Sequence, residues 1–324
     1  MKIQQLLTVA VALAASTVIA TAQVYPSRPV SVVVGYAAGG PTDTIARVVA
    51  EYMKASLGQP VVIENVVGAS GSIGAGRVAR AAPDGYTLSI GDWSTHVVNG
   101  AIYSLQYDLL NDFEPVALLP STPQLILTKK ALPAEDLKAL IAWLKVNQNL
   151  ASYATSGAGS PSHVSALLFQ KMTGAQFQVV PYRGGAPVMQ DLIGGQIDLS
   201  IQPASTAIPA VRGDKIKAHA VTAKTRWAAA PEIPTVDEAG LPGLYVAVWR
   251  GLWAPKGTPK AVVRKLNAAI VEALSNPTAR QRLAQMGEEI PSSDQQSPEA
   301  LGSFQRAEIE KWWPIIKAAN IKAD

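Results

Sequence analysis

Two short loops hold the residue types best suited to gripping a small anion. Ala37-Ala38-Gly39-Gly40-Pro41-Thr42-Asp43 and Ser156-Gly157-Ala158-Gly159-Ser160-Pro161-Ser162 each stand between an expected strand and a segment with helical spacing. Free backbone N–H groups point outward at such a helix start, and the macrodipole adds roughly half a positive charge there. Gly and Ala let a ligand approach that backbone, and Ser or Thr hydroxyls add donors, so the natural occupant is a small carboxylate. Read singly, either loop is also ordinary turn and cap chemistry. As a pair facing each other across a cleft, they read as a binding site.

Other chemistry is poorly provided for. With no cysteine there can be no disulfide, thiolate metal site or cysteine nucleophile. His96, His163 and His219 lack metal-ligand spacing, so no metal is expected. Ser160 and His163 lie three apart at a helix start, where a capping serine is the simpler reading than a nucleophile. Gly74-Ala75-Gly76-Arg77-Val78-Ala79 matches a dinucleotide fingerprint but is set back from its strand by a further loop, so no nucleotide cofactor is expected. The acids Glu64, Asp92 and Asp198 are scattered and would pair only through the tertiary fold. Among the aromatics, Tyr36, Trp93 and Tyr182 end strands beside the loops and are placed against the ligand, with packing between lobes as the alternative for Trp93. Trp249, Trp253, Trp312 and Trp313 are assigned to packing.

The elements that must position these loops follow from the pattern. The chain has 324 residues, 48% hydrophobic and 16% charged, enough for about two folded domains and too apolar for disorder. A formal charge of +4 without a basic run is too thin for nucleic acid. Lys2, an uncharged apolar stretch over 6–19 and Ala20-Thr21-Ala22 read as a cleaved export signal over 1–22. Strands are expected at 30–36, 61–64 and 87–91, with helices after 42 and over 73–82, the first capped by Thr42 or Asp43. This βαβαβ start implies a parallel sheet with ligands at its carboxyl ends. The alternation restarts with strands at 125–128, 152–154, 177–180, 198–201 and 216–221 and helices at 137–146, 164–172 and 186–193. The expected fold is α/β, two-lobed, each lobe a mainly parallel sheet flanked by helices with the ligand cleft between them. Lobe I takes 23–122 together with 246–324, and lobe II takes 123–245, the chain crossing near 120 and 245.

Several segments carry a resemblance along almost the whole chain. Tyr25-Pro26-Ser27-Arg28-Pro29-Val30, the 38–43 loop, the run from Val62 to Gly74, Ala82-Pro83-Asp84-Gly85-Tyr86-Thr87, Gly159-Ser160-Pro161-Ser162-His163, Val180-Pro181-Tyr182-Arg183-Gly184-Gly185 and Pro234-Thr235-Val236-Asp237-Glu238-Ala239-Gly240 resemble the substrate-binding proteins of tripartite tricarboxylate transporters, also called Bug receptors. The resemblance implies a type II-like periplasmic binding protein, not an enzyme. Such a receptor closes around a carboxylate and delivers it to a two-component membrane permease, and it is expected to be a monomer without cofactor. It places Tyr36, Ala38, Gly39, Trp93, Ser94 and Thr95 on one wall and Ser156, Gly157, Ser160, Tyr182 and Arg183 on the other. Where many members read Phe-Asp, this chain has Ile201-Gln202. Loss of an acid that could meet an ammonium turns the expectation from amino acids toward dicarboxylates or aromatic carboxylates, with Gln202 at the ligand. The alternatives in other classes are an exported hydrolase or lyase using a carboxylate pair in the same cleft, and a ligand-sensing receptor for a signalling partner.

Overall fold

The computed structural model describes residues 25–148, 150–157 and 159–321; the expected export signal lies outside them. Strand β1 (Val30–Val34) runs through the first small-residue loop into α1 (Pro41–Leu57), followed by β2 (Val61–Asn65), α2 (Ser72–Ala79) and β3 (Thr87–Asp92). A single turn, α3 (Asn99–Ile102), precedes the long β4 (Phe113–Lys129). Then come α4 (Leu137–Val146), β5 (Ser152–Thr155), α5 (Pro161–Thr173), β6 (Gln178–Pro181), α6 (Gly185–Ile193), β7 (Leu199–Pro203), α7 (Ala204–Arg212) and β8 (Ile216–Val221). The chain returns through β9 (Ala247–Pro255) to α8 (Lys260–Ser275), α9 (Pro277–Gln285) and α10 (Pro298–Ala318).

The strands follow the order β2-β1-β3-β9-β4-β7-β5-β6, with β8 also on β4. β1 is parallel to β2 and β3, and β5 is parallel to β6 and β7, as right-handed βαβ crossovers dictate. Between these two triplets, β9 and β4 join antiparallel. Strand β4 is the link: it follows β9 to the pair Pro123↔Ala247 and then passes to β7 at Gln124↔Pro203. Pro115, Pro120 and Pro123 lie within it, and its two register shifts against β9, at 115–117 and 119–122, fall at the first two of these prolines. A proline removes a ladder donor, so a strand that keeps three of them must slip or bulge.

Helix α1 shows how the pattern becomes packing. Ile45, Val48, Val49, Met53 and Leu57 recur on one stripe and are buried with Leu266 and Ile270 of α8 against the sheet. Full burial of each such side chain contributes about 1.5–3 kcal/mol. The cap differs from expectation: Gly40 is the N-cap and Pro41 opens the helix, so Thr42 and Asp43 stand inside its first turn. Trp253 and Trp312 are fully buried and Trp249 nearly so, in one cluster with Phe113 and Phe169.

Candidate ligand-binding cleft

Four helices begin at one cavity. Pro41 of α1, Ser162 of α5, Gly185 of α6 and Ser205 of α7 line a space of about 960 Å³. Each of these helices directly follows a parallel strand, respectively β1, β5, β6 and β7, so the cavity sits at the carboxyl ends where an open α/β sheet binds ligands. The remaining walls come from Gln124, Ser156 and Gln202 on the polar side and from Met189 and prolines on the apolar side. Among the described residues, no lining side chain is charged. Four positive helix ends meet a wall without charge, the one acid in their first turns, Asp43 of α1, being paired with Arg47, which makes this a site for anions held by backbone amides and neutral hydroxyls.

The second loop is built by its own serines. The Ser160 hydroxyl caps α5 by accepting the His163 N–H at 3.2 Å, and the Ser162 hydroxyl accepts the Ser156 N–H at 2.8 Å. Ser156 Oγ donates to Gln202 Oε1 at 3.2 Å, and Gln202 Nε2 donates to Ser200 Oγ at 2.8 Å, which fixes the Gln202 amide across the floor. Gly185 leaves the room between them: a Cβ there would stand 3.2 Å from Gln202 Oε1 and 3.6 Å from Ser156 Oγ.

The first loop is braced by acids turned inward. Asp43 accepts the Gly39 N–H at 2.8 Å and pairs with Arg47 at 2.8 Å. Its carboxyl is pulled down to about 2, first by the Arg47 hydrogen bonds and then, against the cost of burial, by the Gly39 amide and Asn65. Tyr36 Oη donates to Asp92 Oδ1 at 2.9 Å; burial, then the Asp92 charge, pushes the phenol well above its ordinary range and keeps it a donor.

Of the expected contacts, Ser156 and Gln202 line the cavity, and the 37–43 loop enters it through Pro41. Gly157 and Ser160 shape the second loop, Ala38 and Gly39 are exposed on the first, and Ser94 lies at the Tyr36 hydroxyl. Trp93 is fully buried, with its ring edge-on to Trp312 at 5.4 Å, which is the packing arrangement offered as the alternative to ligand contact. Thr95 is buried too, its hydroxyl accepting the Asp92 N–H at 2.8 Å. Tyr182 donates its hydroxyl to Asp191 at 2.6 Å, and Arg183 beside it is exposed; neither lines the cavity. Residue spacing did not reveal Gln124, Gly185 or Ser205. The signal available was the strand, turn and helix start repeated after β6 and β7; Pro203 and Pro209 made the stretch of α7 look like loop.

The acids do not converge. Glu64 is held by Ser31 and Arg77, Asp198 by Lys129 and Ser152, and Asp92 by Tyr36 and Thr95. His96 stacks on Trp253 at 3.7 Å, His163 accepts the Gly159 N–H, and His219 bonds Thr128. A second recess of about 780 Å³ lies between the 225–229 loop and the 280–295 segment. Its charged walls include Arg226, already paired with Glu238 at 2.9 Å, and Glu288, paired with Arg250 at 2.9 Å. Among the described residues, no long helix starts there.

The chain has close relatives. Residues 45–321 match the model of the tripartite tricarboxylate transporter family receptor. The chain belongs to that receptor family. Among solved structures, this receptor is similar to MatC from Rhodopseudomonas palustris with bound malate, at 41% identity and TM-score 0.74, covering 90% of this chain and 100% of that one. A second R. palustris protein, solved with adipate, is 35% identical with TM-score 0.77, over 92% and 99% of the two chains. BugT of Bordetella pertussis is 33% identical over 93% of this receptor and 92% of its own length. The family and these neighbours are solute-binding proteins, and the α/β binding-protein fold expected from the sequence is the fold they share.

Proposed function

We propose that this receptor captures a small dicarboxylate or aromatic carboxylate outside the cytoplasmic membrane and hands it to a two-component permease of the tripartite tricarboxylate type. The observation that carries this reading is the convergence of four helix N-termini on a cavity without charged walls. Neutral Gln202, in place of an acid, leaves nothing to balance an ammonium, and Met189 with the prolines suits an uncharged ligand body. The malate and adipate in its neighbours are of the same class. Segment 1–22 acts as the export signal, residues 23–122 with 246–324 form one lobe and 123–245 the other, and the receptor works as a monomer. The lobes close about the crossings where β4 leaves β9 at Pro123 and the chain re-enters β9 at Ala247. Closure presents both lobes to the permease in the liganded form alone.

Native mass spectrometry of the purified protein, followed by a thermal-shift panel of mono-, di- and aromatic carboxylates, tests this. One class should raise the melting temperature and be recovered chemically unchanged after incubation. Turnover of the ligand, abolished by one acid-to-amide change, would replace the receptor by an enzyme.

A further inference from the structure

The cleft contains one side chain whose polar atoms have no use within the fold. Gln124 is fully buried, yet neither its Oε1 nor its Nε2 has a hydrogen-bond partner, and it lines the cavity. Its backbone is fixed: the Gln124 carbonyl accepts the Thr222 N–H at 2.9 Å and the Thr222 hydroxyl at 3.2 Å, at the position where β4 passes to β7. The neighbouring amide of Gln202 is already spent on Ser156 and Ser200. A buried amide left with both ends unsatisfied is costly, and a strand that could carry leucine there at no such cost carries glutamine.

From this we infer that Gln124 is a specificity-determining residue that reads a hydroxyl on the carbon next to the ligand's carboxylate. The inference rests on the cleft being the binding site. A primary amide offers a donor and an acceptor side by side. A plain carboxylate satisfies Nε2 alone and sets its lone pairs against those of Oε1. A 2-hydroxy acid presents the matching pair: its hydroxyl donates to Oε1 while its carboxylate accepts from Nε2. An amino acid offers the same pattern, but its ammonium would meet four positive helix ends and no acidic wall. A neutral amide ligand would forgo those helix ends.

Isothermal titration of three matched pairs tests the assignment: lactate with propionate, each malate enantiomer with succinate, and citrate with tricarballylate. Wild-type receptor should prefer the hydroxylated member of the pair that binds by at least tenfold. In Gln124→Leu, and in Gln124→Met should the first fail to fold, that preference should fall below threefold, the hydroxylated member losing more affinity than its unhydroxylated partner. Equal affinities in the wild type, or a preference that survives both variants, overturns the role of Gln124 and leaves the cleft reading intact. Binding of other carboxylates with none of these six acids does the same. Absence of binding by any carboxylate removes both.

Discussion

Arg250 Nη1 and Glu288 Oε2 lie 2.9 Å apart with both side chains almost wholly closed to water. The pair does more than join β9 to the segment after α9. Glu288 Oε1 accepts the Thr122 hydroxyl at 2.6 Å, and Arg250 donates to the Pro120 carbonyl at 3.2 Å, both on β4 just before it changes partner. On the other side Arg250 Nε reaches Thr42 Oγ1 at 3.4 Å, and Thr42 reaches Asp92, the acceptor of the Tyr36 phenol. A continuous buried polar chain therefore runs from the crossing strand to the first turn of α1.

Breaking this pair should be expensive. Arg250→Met leaves Glu288 buried and unpaired, and the expected loss is about 3–5 kcal/mol in urea unfolding. The double change with Glu288→Leu should recover part of that loss, because it removes the stranded charge. A double variant no more stable than Arg250→Met would contradict this.

Gly185→Ala should act on binding and spare the fold. The added Cβ meets Gln202 Oε1 at 3.2 Å and intrudes on ligand space, whereas α6 gains a better helix former. Affinity for the carboxylate that binds wild type should fall at least tenfold, about 1.4 kcal/mol, with the melting temperature unchanged or raised. Titration calorimetry beside a thermal melt reads both.

Gln202→Glu places a carboxylate among the four helix starts. Binding of a dicarboxylate should weaken by tenfold or more, and aspartate should gain relative to succinate. Unchanged selectivity would show that position 202 does not set the charge the cleft accepts.

Stability and binding should respond differently to pH. Burial lowers His96 to about 3 and His219 to about 4, against roughly 6.5 in an unfolded chain. These groups are neutral in the fold, so the unfolded state binds more protons below about pH 6.5. Their effect on stability is absent above that pH. It grows as a loss on acidification, up to about 1.4 kcal/mol per pH unit for each histidine until its folded value is reached. Asp43, held at about 2, adds a second loss as pH falls from the ordinary carboxylate range toward 2. Urea midpoints at pH 7.5, 5.5 and 4.5 should descend, and His219→Gln should flatten the slope. No lining side chain of the cleft titrates in this range, so affinity for a fully ionised dicarboxylate should stay flat from pH 6.5 to 8.5.

The loops and the βαβ units were legible because their signals are local: a buried strand, a Gly-Pro or Ser-Pro turn, and an amphipathic stripe. Ser160 as a cap follows from such a short-range rule, whereas Gln202, which lines the cavity, was placed there only by the family resemblance. Strand β4 was only partly legible, since three prolines argue against a strand and only the partner β9 shows how the register absorbs them. Trp93 was left open between ligand and core because its place at a strand's carboxyl end suits both, and its packing neighbour, Trp312, lies far along the chain. Gln124 was invisible for the same reason: burial without a partner is a tertiary property.

Calorimetric titration of succinate against aspartate on the wild-type receptor tests the central claim most directly, because the two differ by one ammonium. An uncharged-walled anion site predicts one-to-one binding of the dicarboxylate, at least tenfold tighter than the amino acid. Tight binding of aspartate with none of succinate, or of any dicarboxylate substituted for it, would contradict the account.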